Sequence, residues 1–213
     1  MQFKNLELEW LGHAGVLIKS NKLVLVIDPY QTSADEKADF VLITHSHYDH
    51  CSIGDIGKIV KNGTTIVMTA DCQSKINKLK NNVDMRIIEP GKEINLQEVK
   101  IKAVHAYNLK KEFHPKSEGW NGYVIEVGGI KIYHAGDSDL IPEMLSLGKI
   151  DVAFLPVGGT YTMNFREAAN AAVKIKPQLA VPIHWGNIVG TKEDALKFVE
   201  LCEHEGISAR VLE

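Results

Sequence analysis

The chain has 213 residues, 45% of them hydrophobic and 24% charged, and carries a formal net charge of −3 at pH 7. That is the make-up of a globular chain with a sizeable core, not of a disordered or fibrous one. The acidic balance, with pI near 6.3, gives no general basic field for nucleic acid, and no apolar run approaches the ~18 residues of a membrane span. Three widely spaced cysteines (Cys51, Cys72, Cys202) fit neither a disulfide framework nor a Cys-x-x-Cys metal site. The first residues lack a basic stretch followed by an apolar core. The expectation is a cytoplasmic protein in a reducing compartment.

In chain order, strands are expected over 6–12, 14–19 and 23–27, with Asn21-Lys22 as the hairpin turn between the last two. Asp28-Pro29 ends this antiparallel meander, because proline has no donor for a ladder. Residues 31–38 read as a loop, and a strand over 40–44 leads into Thr44-His45-Ser46-His47-Tyr48-Asp49-His50. Ile53, Ile56, Ile59 and Val60 then fall at helical spacing. A short strand over 66–68, a helix over 71–80 and strands over 85–88 and 98–106 follow, with a turn at Pro90-Gly91. Residues 107–120 form a long polar and aromatic loop, a length often tied to function.

A hairpin is expected over 122–134 across Gly128-Gly129, then a helix over 139–147 and a buried strand over 152–155. Asn164 with Glu167 forms a capping box that opens an alanine-rich helix. A strand over 179–183, a last helix capped by Thr191 with Asp194, and a strand over 209–212 complete the chain. The pattern is a meander followed by strand-helix units, and then the same again. It fits an α+β protein, a four-layer αββα sandwich formed as a single domain over 1–213.

The chemistry is concentrated at His45, His47, Asp49 and His50. Three of the nine histidines and one carboxylate share six consecutive positions at a strand end. A solvated turn rarely gathers so many imidazoles, and this donor set suits Zn, Mn, Fe or Ni. Asp137 and His184 each lie just past an expected strand, as His45 does. Alone, Asp137 reads as a helix cap and His184 as a turn residue; beside the histidine run, both read as metal ligands. There is no Gly-x-Ser-x-Gly elbow, phosphate loop or dinucleotide fingerprint.

These motifs resemble the metallo-β-lactamase superfamily. Its His-x-His-x-Asp-His signature is matched by His45, His47, Asp49 and His50, and Gly136-Asp137 and His184 follow in order. More narrowly, the chain resembles the ascorbate-6-phosphate lactonase-like branch. The stretches that carry this are Trp10-Leu11-Gly12-His13-Ala14, Ile27-Asp28-Pro29, His134-Ala135-Gly136-Asp137 and Pro182-Ile183-His184. The resemblance implies the metallo-β-lactamase fold and one or two divalent ions, zinc first, with manganese, iron or nickel as alternatives. In the family pattern His45 and His47 hold one ion, Asp49, His50 and His184 hold the other, and Asp137 bridges them.

The first ion takes a third histidine in that pattern, and the aligned position here is Asn108. His105 falls three residues early and His114 six late; His114 is expected as the ligand, with His105, Asn108 and His13 as the alternatives. His13 is expected either as a ligand or acid that contacts substrate, or as a turn histidine. His134 is expected to support the site or the core, Cys51 to be a buried thiol and His204 to lie on the surface.

The implied reaction is hydrolysis of an ester-like, lactone or phosphoester bond of a small molecule. Two ions about 3.5–4 Å apart would lower the pKa of a shared water towards neutral, with Asp49 orienting the resulting hydroxide. Tyr107, Trp120, Tyr161 and Trp185 are expected at the rim, and Lys110, Lys111 and Lys116 suit an anionic substrate. The alternatives are a non-catalytic metal-binding or sensor protein, or a nuclease. The net charge and the lack of a large insertion between Asp137 and His184 speak against the nuclease. A homo-oligomer is compatible with the sequence.

Overall fold

The computed structural model describes residues 1–20 and 23–212, so the hairpin turn expected at Asn21-Lys22 lies outside the described residues. The chain divides into two compact units, Met1–Ile88 and Glu89–Leu212, each built on one mixed sheet.

The sheet of the first unit holds β1 (Gln2–Phe3), β2 (Leu6–Gly12), β3 (Gly15–Lys19), β4 (Val24–Ile27), β5 (Ala38–Leu42), β6 (Val60–Met68) and β7 (Asp84–Ile87), side by side in sequence order. Pairing is antiparallel from β1 to β4 and parallel from β4 to β7. Parallel neighbours need a crossover. The crossover from β5 to β6 runs through the histidine run and α1 (Ile53–Ile59). Phe40, Val41 and Leu42 are all buried, as expected of a central strand covered on both faces. Val41 packs into a core with Leu17, Val26, Ile56, Ile59, Ile66 and Met68.

The second unit repeats the plan. β8 (Glu93–Leu96), β9 (Val99–His105), β10 (Asn121–Val127) and β11 (Ile130–His134) pair antiparallel; β12 (Val152–Pro156) and β13 (Leu179–Ile183) then add in parallel. The first unit also holds a short helix, α2 (Gln73–Ile76). In the second unit, α3 (Phe165–Ile175) packs on β12, and α4 (Lys192–His204) on β13 and α3. Both expected capping boxes form: Asn164 with Glu167 and Thr191 with Asp194. α3 turns Ala168, Ala171, Ala172 and Ile175 inward, and α4 turns Ala195, Phe198 and Cys202 inward, the three-and-four spacing of an amphipathic helix. Two mixed sheets with helices bear out the α+β class. Among the described residues no helix is long and apolar enough to cross a membrane.

Several elements differ from expectation. The helix over 71–80 contracts to a 3-10 turn, Ala70–Cys72, followed by α2, because polar residues from Asn77 on offer little to bury. The helix over 139–147 is a 3-10 turn, Pro142–Ser146, since proline supplies no N–H to a preceding turn. The strand over 98–106 forms as β9, and an additional strand, β8, precedes it across a turn with Gln97 in the left-handed region (φ 53°). The strand over 66–68 reaches back to Val60. The strand over 209–212 is a single bridge between Ala209 and Ala180.

Candidate metal centre

In the first unit, the chain leaves β5 with Ile43 N donating to Val67 O at 2.9 Å and enters a tight turn, where His50 N and Cys51 N donate to His47 O at 3.1 and 2.8 Å. His45, Asp49 and His50 are buried, and His47 is half-buried. Asp28, at the end of β4, anchors this turn from below. Its Oδ1 accepts from Thr44 N at 2.8 Å, and its Oδ2 accepts from the Thr44 hydroxyl at 2.6 Å and from His50 Nδ1 at 2.8 Å. A hydroxyl has one proton to give. Thr44 gives it to Asp28, so His45 Nδ1, 2.9 Å from Thr44 Oγ1, is the donor in that contact. His45 and His50 thus both carry their proton on Nδ1 and leave the Nε2 lone pair able to meet a cation. His45 Nε2 lies 3.0 Å from His47 Nδ1.

His13 comes from the turn between β2 and β3. Its backbone is left-handed (φ 50°), and its carbonyl is held by Trp10 Nε1 at 2.8 Å. Its Nε2 lies 2.9 Å from Asp49 Oδ2, and His50 Nε2 lies 3.5 Å from the same oxygen. Asp28 (φ 43°) shares the strained backbone region with His13. Such strain persists where the surroundings over-determine it, and it clusters at functional sites.

The second unit builds a matching arrangement. Asp137 follows β11 through Gly136 (φ 60°), whose N–H donates to His134 Nδ1 at 3.2 Å. His134 is fully buried. His184 follows β13, also left-handed (φ 60°). His114 comes back from the long loop because Asn108 N donates to His114 O at 2.7 Å, and its ring meets Trp120 edge-on at 5.4 Å. His114 Nε2 and His184 Nε2 each lie 3.2 Å from Asp137 Oδ2. Each unit therefore converges two imidazole Nε2 atoms on one carboxylate oxygen.

These residues fit a divalent cation. Imidazole nitrogen and carboxylate oxygen are the donors of Zn and its neighbours. Two donors on one tetrahedral ion, each about 2.0–2.1 Å from it, lie about 3.3 Å apart, and contacts of 2.9–3.5 Å suit that spacing. His114 gives the sharpest test. Its Nδ1 is 3.1 Å from Asn108 Oδ1 and 3.1 Å from Tyr161 O, both acceptors, so the proton sits on Nδ1. The lone pair of Nε2 then faces the Asp137 carboxylate, a repulsive contact unless a cation or a second proton joins them.

Other residues singled out in the sequence lie as follows. His105 ends β9 with its ring edge-on to Tyr107. Asp139, two residues past Asp137, accepts from Leu109 N at 2.9 Å and Asn108 Nδ2 at 3.3 Å and is ion-paired with Lys111. Lys116 pairs with Glu143 at 2.7 Å. Of the aromatics expected at the rim, Tyr107, Trp120 and Trp185 are buried, and Tyr161 packs edge-on against the exposed Phe113. Cys51 is a buried thiol; a hydrogen bond with Cys72 holds its pKa below the ordinary thiol value and pushes that of Cys72 up. His204 is exposed. Nothing in the local sequence marks Asp28, Thr44 or Asp139 as a support of the site on its own. The one signal for Asp28 is its place at a strand end beside Pro29.

The Beta-lactamase superfamily domain matches residues 7–184. A UPF0173 metal-dependent hydrolase of Thermoplasma acidophilum is 35% identical, with 93% of this chain and 91% of the relative covered. One of Thermococcus onnurineus is 36% identical over 91% and 92%. The crystal structure of a candidate metal-dependent hydrolase from Parabacteroides distasonis superposes with a TM-score of 0.85 at 31% identity, covering 98% of this chain and 93% of that one. The chain has the metallo-β-lactamase fold and belongs to the UPF0173 metal-dependent hydrolases of the β-lactamase superfamily.

Proposed function

We propose that this hydrolase cleaves an ester-like, lactone or phosphoester bond of a small molecule, using one or two divalent ions. His45, His47, Asp49 and His50 hold them together with His114, Asp137 and His184, as the family pattern implies; zinc is the first choice. The observation that carries the reading is the convergence of His114 Nε2 and His184 Nε2 on Asp137 Oδ2, 3.2 Å each, with the His114 proton committed to Nδ1. Bound divalent ions supply a water acidic enough to lose its proton near neutral pH and a Lewis acid for the scissile oxygen. Asp49 orients that water. His13, 2.9 Å from Asp49 Oδ2, steadies the carboxylate and is the acid that contacts substrate.

The family match runs from residue 7 to 184, across both units, which supports one hydrolase domain over 1–213; this reading places it in the cytoplasm. Lys111 and Lys116 are paired with Asp139 and Glu143, so an anionic substrate draws less support from this loop than its three lysines suggest.

The test is hydrolysis of a panel of esters, lactones and phosphoesters by the purified protein, before and after chelation and with zinc, manganese or iron restored. Turnover that depends on metal and is lost in Asp49→Ala supports the reading. Turnover that survives both full chelation and Asp49→Ala sinks it. Tight metal binding with no turnover across the panel favours a sensor instead.

A further inference from the structure

We propose that Asn108 and Asp139 form a positioning pair that fixes the tautomer and orientation of His114. The inference rests on the reading of His114 as a metal ligand and names the residues that make it one. Asn108 stands where the family pattern expects a histidine, yet it is buried and fully engaged. Its Nδ2 donates to Tyr161 O at 2.9 Å and to Asp139 Oδ1 at 3.3 Å. Those two acceptors fix the amide orientation, because only the NH2 end can serve them. Oδ1 is thereby turned to His114 Nδ1, 3.1 Å away. Tyr161 O, also 3.1 Å from Nδ1, is the second acceptor, and the Asn108 NH2 ties it in place; the amide thus sets both acceptors at Nδ1, which hold the ring proton there and leave Nε2 to face Asp137.

Asp139 fixes the amide in turn. Its Oδ2 accepts from Leu109 N at 2.9 Å, while Lys111 pairs with Oδ1 beside the Asn108 amide. The backbone is tied at the same place: Asp139 N donates to Tyr107 O at 2.9 Å. The segment from Asp137 to Asp139 therefore addresses both nitrogens of one imidazole. Asp137 meets Nε2 directly at 3.2 Å, and Asp139 governs Nδ1 through Asn108. A histidine displaced six residues along the loop needs such a clamp, since a loop alone holds a side chain less precisely than a strand end.

The experiment follows the His114 tautomer by nitrogen-15 NMR of the metal-free protein and zinc affinity by chelator competition. Wild type is compared with Asn108→Ala, Asp139→Ala, the near-isosteric Asp139→Asn and, as a control, Glu143→Gln, which loosens the other tether of the same loop. Wild type should show the Nδ1–H tautomer. Asn108→Ala and Asp139→Ala should mix the tautomers and weaken zinc binding 10–100-fold; Asp139→Asn should fall between, and Glu143→Gln should match wild type. An Nδ1–H tautomer retained in both alanine variants overturns the proposal, whatever the affinity. Mixed tautomers with undiminished zinc affinity uphold the positioning pair and overturn His114 as a ligand, a result that His114→Ala with wild-type zinc affinity would repeat.

Discussion

His50 Nδ1 lies 2.8 Å from Oδ2 of Asp28, and both side chains are fully buried. The same oxygen also accepts the Thr44 hydroxyl, whose own oxygen receives the proton of His45 Nδ1. One carboxylate thus sets the tautomers of two imidazoles, directly for His50 and through Thr44 for His45. Asp28→Asn puts an NH2 group where only acceptors fit: at Oδ2 it opposes the His50 Nδ1 proton and favours the Nε2 tautomer, and at Oδ1 it opposes Thr44 N–H. Zinc affinity should fall 10–100-fold and the free energy of unfolding by about 1–3 kcal/mol, measured by chelator competition and urea unfolding. Asp28→Asn protein with undiminished affinity would falsify this role.

Removing metal should cost stability by mass action alone. An ion present at about 100 times its dissociation constant adds about 2.7 kcal/mol, and a chain of this size shifts its Tm by about 2–4 °C per kcal/mol. Chelation should therefore lower the Tm by about 5–10 °C, and zinc or manganese should restore it. Calorimetry in chelator and in added metal decides; a Tm indifferent to both contradicts a metal centre.

Asp55 pins the loop after Asp28, where Gln31 sits in the left-handed region (φ 47°). Its Oδ2 accepts from Gln31 N at 2.9 Å and Ser52 Oγ at 2.7 Å, and its Oδ1 pairs with Lys58 at 2.7 Å. Burial pushes its pKa up, but the bonds from Lys58, Ser52 and Gln31 outweigh this and hold it below the usual carboxylate range. A folded pKa below the unfolded one gives stability that is present above about pH 3.9 and is lost as pH falls through the folded value. Asp55→Asn should then cost about 1–3 kcal/mol near neutral pH. The gap to wild type should narrow in urea melts at pH 3; an equal gap at both values would show that the charge contributes nothing.

What the sequence made legible was local. The run from His45 to His50 declares its donors within six positions, and the boxes Asn164 with Glu167 and Thr191 with Asp194 span three residues each. What stayed hidden depends on contacts between distant stretches. Asp28 reaches Thr44 and His50 only once β4 and β5 pair, and Asp139 reaches Asn108 across the whole β10–β11 hairpin. Lys111 and Lys116 of the long loop suggest an anion in the sequence because their carboxylate partners, Asp139 and Glu143, lie beyond that hairpin. His114 illustrates both limits. Its residue type and loop were readable, but its return to Asp137 turns on one backbone hydrogen bond from Asn108, which no periodicity announces.

Two glycines should respond to alanine in opposite directions. A Cβ on Gly158 would lie 2.6 Å from His184 O and 3.0 Å from His184 Nδ1. The nearest obstacle is a backbone carbonyl on a residue already in the left-handed region, so relief requires His184 itself to move. Gly158→Ala should lose about 1–3 kcal/mol of stability, and a displaced ligand of about 1 Å should cut metal-dependent turnover about 100-fold. Gly54, in the first turn of α1, meets nothing within 4 Å, so Gly54→Ala should gain about 0.5–1 kcal/mol and leave metal binding unchanged. Urea unfolding and zinc titration of the two variants, side by side, separate steric pressure on His184 from a general effect of added methyl groups. Equal behaviour in both measurements would mean that His184 yields freely and that its backbone conformation is not what holds its ring in place.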